Sequence, residues 1–353
     1  PPKLAAVVPC KTELGSKPPG GSPGVESTAT DAVMADARAP VETFLGVAQH
    51  DTVATHATTA DIESAGDTGG KDHDLFDKAK QEEFLQQVEA GAFHMNILSP
   101  PCGTWSRANW ANKAGPQPCR DRQHPWGLPP DKFKPEVRAR QLDRAADGNE
   151  FVHFSIRAVR TAQNAKRRGL RVMSLMEHPE DLGRIRNGCA TCVKHGSVPA
   201  STWQLPEVRG AYGEFESVSV AGHQCQFPGV DRSKPTRLHS DIVAMGETGH
   251  IGWPSFDSRD NYLGPLPRHC GHDHRQAMIG RSKSGGFNTS PTAAYPAGMC
   301  AFIAIRIFND WVKHIGTTKG GVRSSSSTRK PRTDVGRTPT TASTTPAPSR
   351  TPG

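Results

Sequence analysis

No run of about 18 apolar residues occurs in this 353-residue chain, so no segment is long enough to cross a bilayer as a helix. The first residues lack the basic-then-apolar pattern of a secretory leader. Cysteine is sparse: eight residues in 353, without the dense, even spacing of a disulfide scaffold, which points instead to a reducing, intracellular compartment. Strong charge of one sign is also missing from the body of the chain. Of the net +8, +6 belongs to residues 317–353, where Lys319, Arg323, Arg329, Lys330, Arg332, Arg337 and Arg350 face only Asp334. Basicity therefore says more about this tail, a solvated segment or a contact for a polyanion, than about a folded nucleic-acid-binding face, and it does not by itself assign a nuclear location. The first residue is Pro1 rather than methionine, so the chain is expected to be a piece of a longer protein.

Periodicity is absent from both ends. Residues 1–70 are rich in Pro, Gly, Ala, Thr and Ser and read as low-complexity and disordered; residues 317–353, with Ser324 to Ser327 in a Thr/Pro/Arg mixture, lack the apolar content to order themselves. Residues 71–316 remain as the core. There, 77–91 reads as a helix with Phe84, Leu85 and Val88 on one side and Gly91 as its stop. An apolar strand at 93–98, a helix at about 149–168 and a strand at 170–176 follow, the helix carrying Phe151, Val152, Phe154, Ile156, Ala158 and Val159 at helical spacing. Strand, helix, strand is a βαβ unit, which implies parallel strands joined by a right-handed crossover. Residues 111–135, rich in Pro, Gly and Arg, have no period; a loop of this length is a candidate lid or binding element, or simply a solvated surface loop.

Each strand of that unit ends in chemistry. After the first comes Ser99-Pro100-Pro101-Cys102-Gly103-Thr104-Trp105-Ser106, where two prolines remove backbone donors and stop a central strand, presenting a lone thiol at the sheet edge. After the second comes Glu177-His178-Pro179. Ligands in open α/β sheets bind beyond the carboxyl ends of strands, so Cys102 and Glu177 are expected at one edge of adjacent strands. A cysteine merely packed in a proline-rich loop is the alternative for Cys102 alone.

These residues resemble the catalytic pair of DNA cytosine-5 methyltransferases, whose motifs read P-C and E-N-V or E-N-P. Further stretches are similar to shortened forms found in phages and retroelement polyproteins: Asp231-Arg232-Ser233-Lys234-Pro235-Thr236-Arg237-Leu238 to a basic K-P-T segment, Cys270-Gly271-His272-Asp273-His274 to a downstream C-x-H-x-H, and Gly286-Phe287-Asn288-Thr289 with Ala294-Tyr295-Pro296 to the motif preceding the last helix. The resemblance implies a Rossmann-like, doubly wound, mostly parallel α/β sheet of the S-adenosylmethionine-dependent type. It implies Cys102 as the nucleophile that adds to carbon 6 of cytosine, and Glu177 as the acid that bonds ring nitrogen 3. It implies a flipped-out base in DNA. Arg107, Arg120, Arg122, Arg232, Lys234 and Arg237 become candidate nucleic-acid contacts, with Lys132 and Lys134 on the same loop as Arg120 and Arg122. Asp74, Asn288 and Pro296 become candidate contacts for S-adenosyl-L-methionine.

Two patterns of that family are missing. No D-L-F-x-G-x-G turn is present; Gly15, Gly20, Gly21 and Gly24 lie among prolines after Leu4 to Val8, and Asp74 already matches the later acidic position. A damaged coding region accounts for this, with the expectation that this chain does not bind the cofactor tightly. A cofactor half on another chain, or a domain that no longer methylates, are the other accounts. No Q-x-R-x-R segment is found either. A catalytically silent nucleic-acid-binding module of a retroelement polyprotein is the competing function. A cysteine hydrolase pairing Cys102 with His178 or His153 lacks an orienting third group. Cys189-x-x-Cys192-x-x-His195 has zinc-ligand spacing, with Cys225 or His269, Cys270, His272 and His274 able to complete it, although His272 and His274 also suit a satisfied polar turn.

Overall fold

The computed structural model describes residues 4–7, 75–111, 117–185, 198–274, 278, 288 and 295–319. Its centre is a six-stranded mixed sheet in the order β1-β2-β3-β5-β4-β6. Strands β1 (Leu4–Val7), β2 (Met95–Leu98) and β3 (Met173–Pro179) are parallel; β5 (Pro235–Ser240) is antiparallel to both β3 and β4 (Val218–His223), and β6 (His250–Ile251) pairs antiparallel with β4. A small hairpin, β7 (Ser255–Phe256) and β8 (Tyr262–Gly264), stands apart. The expected mostly parallel, doubly wound sheet is thus corrected to a mixed one, half of it antiparallel. The expected βαβ unit is present as β2, helix α2 (Pro135–Arg167) and β3.

Helices cover both faces. Residues alternate across a strand, so Met95, Ile97, Met173 and Leu175 point to one side and Leu98 and Met176 to the other. On the first side Met299, Ile303 and Ile307, spaced four apart on helix α3 (Ala297–Lys319), complete the cluster. On the second side Phe154, Ala158 and Val159 of α2 pack on Leu98, and Val152 and Ile156 join Met176 and the fully buried Trp203. Helix α1 (Lys78–Glu89) then packs on α2; Asp77 caps it by accepting from Ala79 N at 2.8 Å, and Gly91, with φ +72°, supplies the left-handed residue that ends it.

Three boundaries differ from expectation. Helix α2 begins fourteen residues before the apolar period does, at Pro135 in the first helical turn, because its first half buries only Gln141, Ala145 and Gly148 and carries no apolar stripe to read. Leu4–Val7, inside the supposedly disordered 1–70, pairs with the free edge of β2. Helix α3 continues to Lys319, across the boundary expected at 316. In the described part of the candidate lid, 117–134, Cys119 and Phe133 are buried against Ala145 of α2.

Arg237, on the central strand β5, is fully buried and grips Glu180 with Nε to Oε2 at 2.7 Å and Nη2 to Oε1 at 2.8 Å. Ser219 Oγ accepts from Nη1 at 2.7 Å, and Tyr262 O–H donates to Glu180 Oε1 at 2.8 Å. The pair fastens the segment after β3 to β5. Removing one member of such a pair strands the other charge in the core, so Arg237→Met should lower the unfolding free energy by about 3–5 kcal/mol. Denaturant titration checks this; a loss under about 1 kcal/mol would mean that Glu180 finds water or another partner.

Candidate active site

The site follows from register. Leu98 lies opposite Met176, so the next residues, Ser99 and Glu177, face each other on the side that Ile97 and Leu175 share with α3. Ser99 Oγ donates to Glu177 Oε2 at 2.8 Å. Tyr295, just before α3, donates to the same Oε2 at 2.7 Å and lies 2.7 Å from Ser99 Oγ. Burial and the Glu177 charge push the Tyr295 hydroxyl well above its usual range, so it stays a donor. Glu177 is 4 % exposed, and its other oxygen, Oε1, has no hydrogen-bond partner among the described residues. An acceptor buried and left open in this way costs about 1–3 kcal/mol, the mark of a place where a ligand's donor is expected.

Cys102 is a half-buried free thiol close enough to this carboxyl to feel its charge. Its carbonyl accepts from Trp105 N at 3.0 Å and Ser106 N at 2.8 Å, which winds the chain into a tight turn after the two prolines. That turn rests on α2 at Gly148, where an added Cβ would lie 2.5 Å from Thr104 Oγ1 and 3.0 Å from Arg120 Nη2, so only glycine admits the approach. Burial pushes the Cys102 thiol up, the Lys234 charge pulls it down and the Glu177 charge pushes it up again, with the net shift upward. The free protein therefore holds Cys102 as a thiol at neutral pH. Lys234, whose Nζ lies 5.8 Å from the Tyr295 ring centroid, is the cation of this site.

The structure brings Cys102, Glu177 and Lys234 together. The other basic candidates are engaged elsewhere. Arg237 is corrected from a phosphate contact to the buried partner of Glu180. Arg120 is corrected likewise: 1 % exposed, it stacks 3.8 Å from the Trp105 ring centroid and donates to Pro125 O, Asn149 Oδ1 and Ala145 O. Arg122 holds Asp181 with Nη2 at 2.8 Å and 3.0 Å from its two oxygens and stacks on Phe256, and Arg107 donates to the carbonyls of Leu182 and Arg184; both tie loops together. Arg232 donates to Asn288 O at 2.7 Å. Pro296 opens α3, its carbonyl accepting from Cys300 N. Asp74, Cys189, Cys192 and His195 lie outside the described residues.

Neither histidine proposed for a hydrolase is bonded to Cys102 among the described residues. His153 stacks on Trp126 at 4.5 Å, and His178 is buried edge-on to Trp203, neither ring nitrogen having a hydrogen-bond partner among those residues. The C-x-H-x-H segment forms its own cluster, with Cys270 Sγ 2.9 Å from His274 Nε2. Ser99 and Tyr295 are the functional residues that motif reading missed. Only the pairing of β2 with β3 reveals Ser99, and Tyr295 was visible merely as the neighbour of Pro296.

The chain matches no protein-family model, no curated protein and no solved structure.

Two outcomes follow from this geometry. Tyr295→Phe and Ser99→Ala should each destabilise the fold by about 1.5–3 kcal/mol, the usual range for a hydrogen bond to a charged group. The double variant should lose less than their sum, because both donors serve one oxygen; additive losses in a double-mutant cycle would contradict the shared bond. The second outcome concerns pH. Burial, aided by the Lys234 and Arg120 charges, holds His178 down at about 3, and burial with Arg237 holds His239 at about 3. The unfolded chain protonates these rings near about 6.5, so it binds more protons than the folded one between the two values. Stability is complete above about 6.5 and falls as pH drops toward 3. Thermal midpoints should fall from pH 7 to pH 5, and less steeply in His178→Gln; a flat profile would show these rings to be solvated.

Proposed function

We propose that this chain carries a DNA (cytosine-5)-methyltransferase-type site on a Rossmann-like core, with Cys102 as the nucleophile and Glu177 as the group that holds the ring. The observation that carries this reading is the open Oε1 of Glu177, whose carboxyl acts electrostatically on the Cys102 thiol while its other oxygen is fixed by Ser99 and Tyr295. A cytosine turned out of its stack offers ring nitrogen 3 and the 4-amino group to such an oxygen. While a protonated Glu177 carboxyl donates a hydrogen bond to nitrogen 3, no negative charge there opposes ionisation of Cys102, whose proton passes to solvent, and the Lys234 charge still favours it. The sulfur then adds to carbon 6, and the displaced π electrons make carbon 5 nucleophilic. Once carbon 5 has taken an electrophile, a methyl group or a proton from solvent, loss of the proton it first carried and expulsion of the thiolate restore the ring. Catalysis thus lies in one carboxyl held still and one thiol released at the moment of binding.

S-adenosyl-L-methionine supplies the methyl group in this class of reaction. The described residues do not form its cradle: Asp74 is outside them, the Asn288 carbonyl is taken by Arg232, and no glycine turn after β1 is among them. Cys102, Glu177 and Lys234 account for the chemistry as far as the activated ring.

A silent binding module is the weaker reading. Such a module would use its basic tail and loops, and two of its candidate contacts, Arg120 and Arg237, are 1 % and 0 % exposed. Incubation with duplex DNA containing 5-azacytosine tests the site without the cofactor. The electron-poor ring traps an attacking thiol, so wild type should give a denaturation-resistant adduct mapped to Cys102 by mass spectrometry, and Cys102→Ala should give none. Folded wild-type protein that forms no adduct would overturn the proposal.

A further inference from the structure

Cys225 lies in the tight turn that follows β4, and Cys270, His272 and His274 lie 45 to 49 residues further on. The fold brings one ligand atom from each of the four within 4.8 Å of the others. A tetrahedral zinc ion with sulfur and nitrogen ligands at about 2.0–2.3 Å spaces them about 3.3–3.8 Å apart, so side-chain adjustments of about 1 Å would complete the shell. His274 is already oriented for this. Its Nδ1 lies 3.0 Å from Asp231 O and donates to it, which orients the ring with Nε2 toward Cys270 Sγ at 2.9 Å. A ligating imidazole held through its other nitrogen by a carbonyl is the usual outer support of a zinc site.

We propose that Cys225, Cys270, His272 and His274 bind one structural zinc ion, a Cys2His2 site formed without Cys189, Cys192 or His195. The ion joins two segments. One is the β4–β5 connection, which carries Arg232 and Lys234; the other is the chain after β8. His223 bridges the same two segments, with Nδ1 2.9 Å from Ser233 Oγ and Nε2 3.1 Å from Pro267 O. Because the carbonyl that supports His274 belongs to Asp231, three residues before Lys234, the metal also fixes the base of the strand that brings Lys234 to Cys102. Four protein ligands close the shell and leave no position for substrate, so the ion acts by position and not by Lewis acidity.

Elemental analysis of the full chain, purified under reducing conditions, should find one equivalent of zinc. In the same wild-type protein Cys225 and Cys270 should resist alkylation until a chelator is added, whereas the exposed Cys300 should react at once in either state. Mass spectrometry of the peptides reads both results without any variant that has to fold. Cobalt substituted for zinc should give the intense visible bands of a tetrahedral thiolate site, and these should be missing from Cys270→Ser but present in Cys119→Ser. Trace metal only in folded protein would overturn the proposal. So would a Cys225–Cys270 disulfide, or alkylation of both thiols at a rate that a chelator does not change.

Discussion

The parallel pairing of β2 with β3 is the constraint on which the site depends. With Leu98 opposite Met176, the residues leaving the two strands must meet, and Ser99 and Glu177 have no other geometry available while the pairing holds. A slip of one residue would turn every side chain of one strand to the other face, moving Glu177 to the α2 side and His178 into its place. Apolar packing prevents this. Ile97, Leu175 and Met299 lie on one face, and Leu98, Met176, Val152 and Phe154 lie on the other. Hydrophobic alternation in six residues of strand thus decides which carboxyl faces the thiol.

Charge is used to hold loops as much as to meet a ligand. Arg237 fastens the segment after β3 to β5, Arg122 fastens the 117–134 segment to Asp181, Arg107 fastens the Cys102 turn to the carbonyls of Leu182 and Arg184, and Arg120 supports Trp105 from below. Each of these cations loses water and recovers it in fixed acceptors, an arrangement that planar guanidinium forks suit better than lysine would. A lysine, Lys234, supplies positive charge to the thiol, its compact ammonium favouring the ionised sulfur.

The βαβ unit and the Cys102–Glu177 edge were legible in the sequence, because the apolar period of 149–168 and the Pro-Pro stop after Leu98 are local signals. The first half of α2 was not, since Pro135 to Gly148 lies along polar surface and packs through Ala145 and Gly148 rather than through an apolar stripe. Nor was the antiparallel half of the sheet: 231–238 reads as a basic segment, and nothing local tells that Arg237 lies at the centre of a sheet with Glu180 as partner. Ser99 and Tyr295 become functional only through contacts 78 and 118 residues away from Glu177 in sequence, a kind of pairing that spacing does not encode. The same limit hid the Cys225 connection to His272 and His274, which the Cys189-x-x-Cys192 spacing obscured.

The central claim is that Cys102 adds to carbon 6 of cytosine while Glu177 holds the ring. Exchange of tritium from carbon 5 of cytosine in duplex DNA, measured with no methyl donor present, reads that step alone. Addition makes carbon 5 basic, it takes a proton from solvent, and elimination then releases tritium to water. The account predicts release by the wild-type chain, slowed strongly in Glu177→Gln and abolished in Cys102→Ser. Release no faster than that of Cys102→Ser, from wild-type protein shown to be folded, would contradict it.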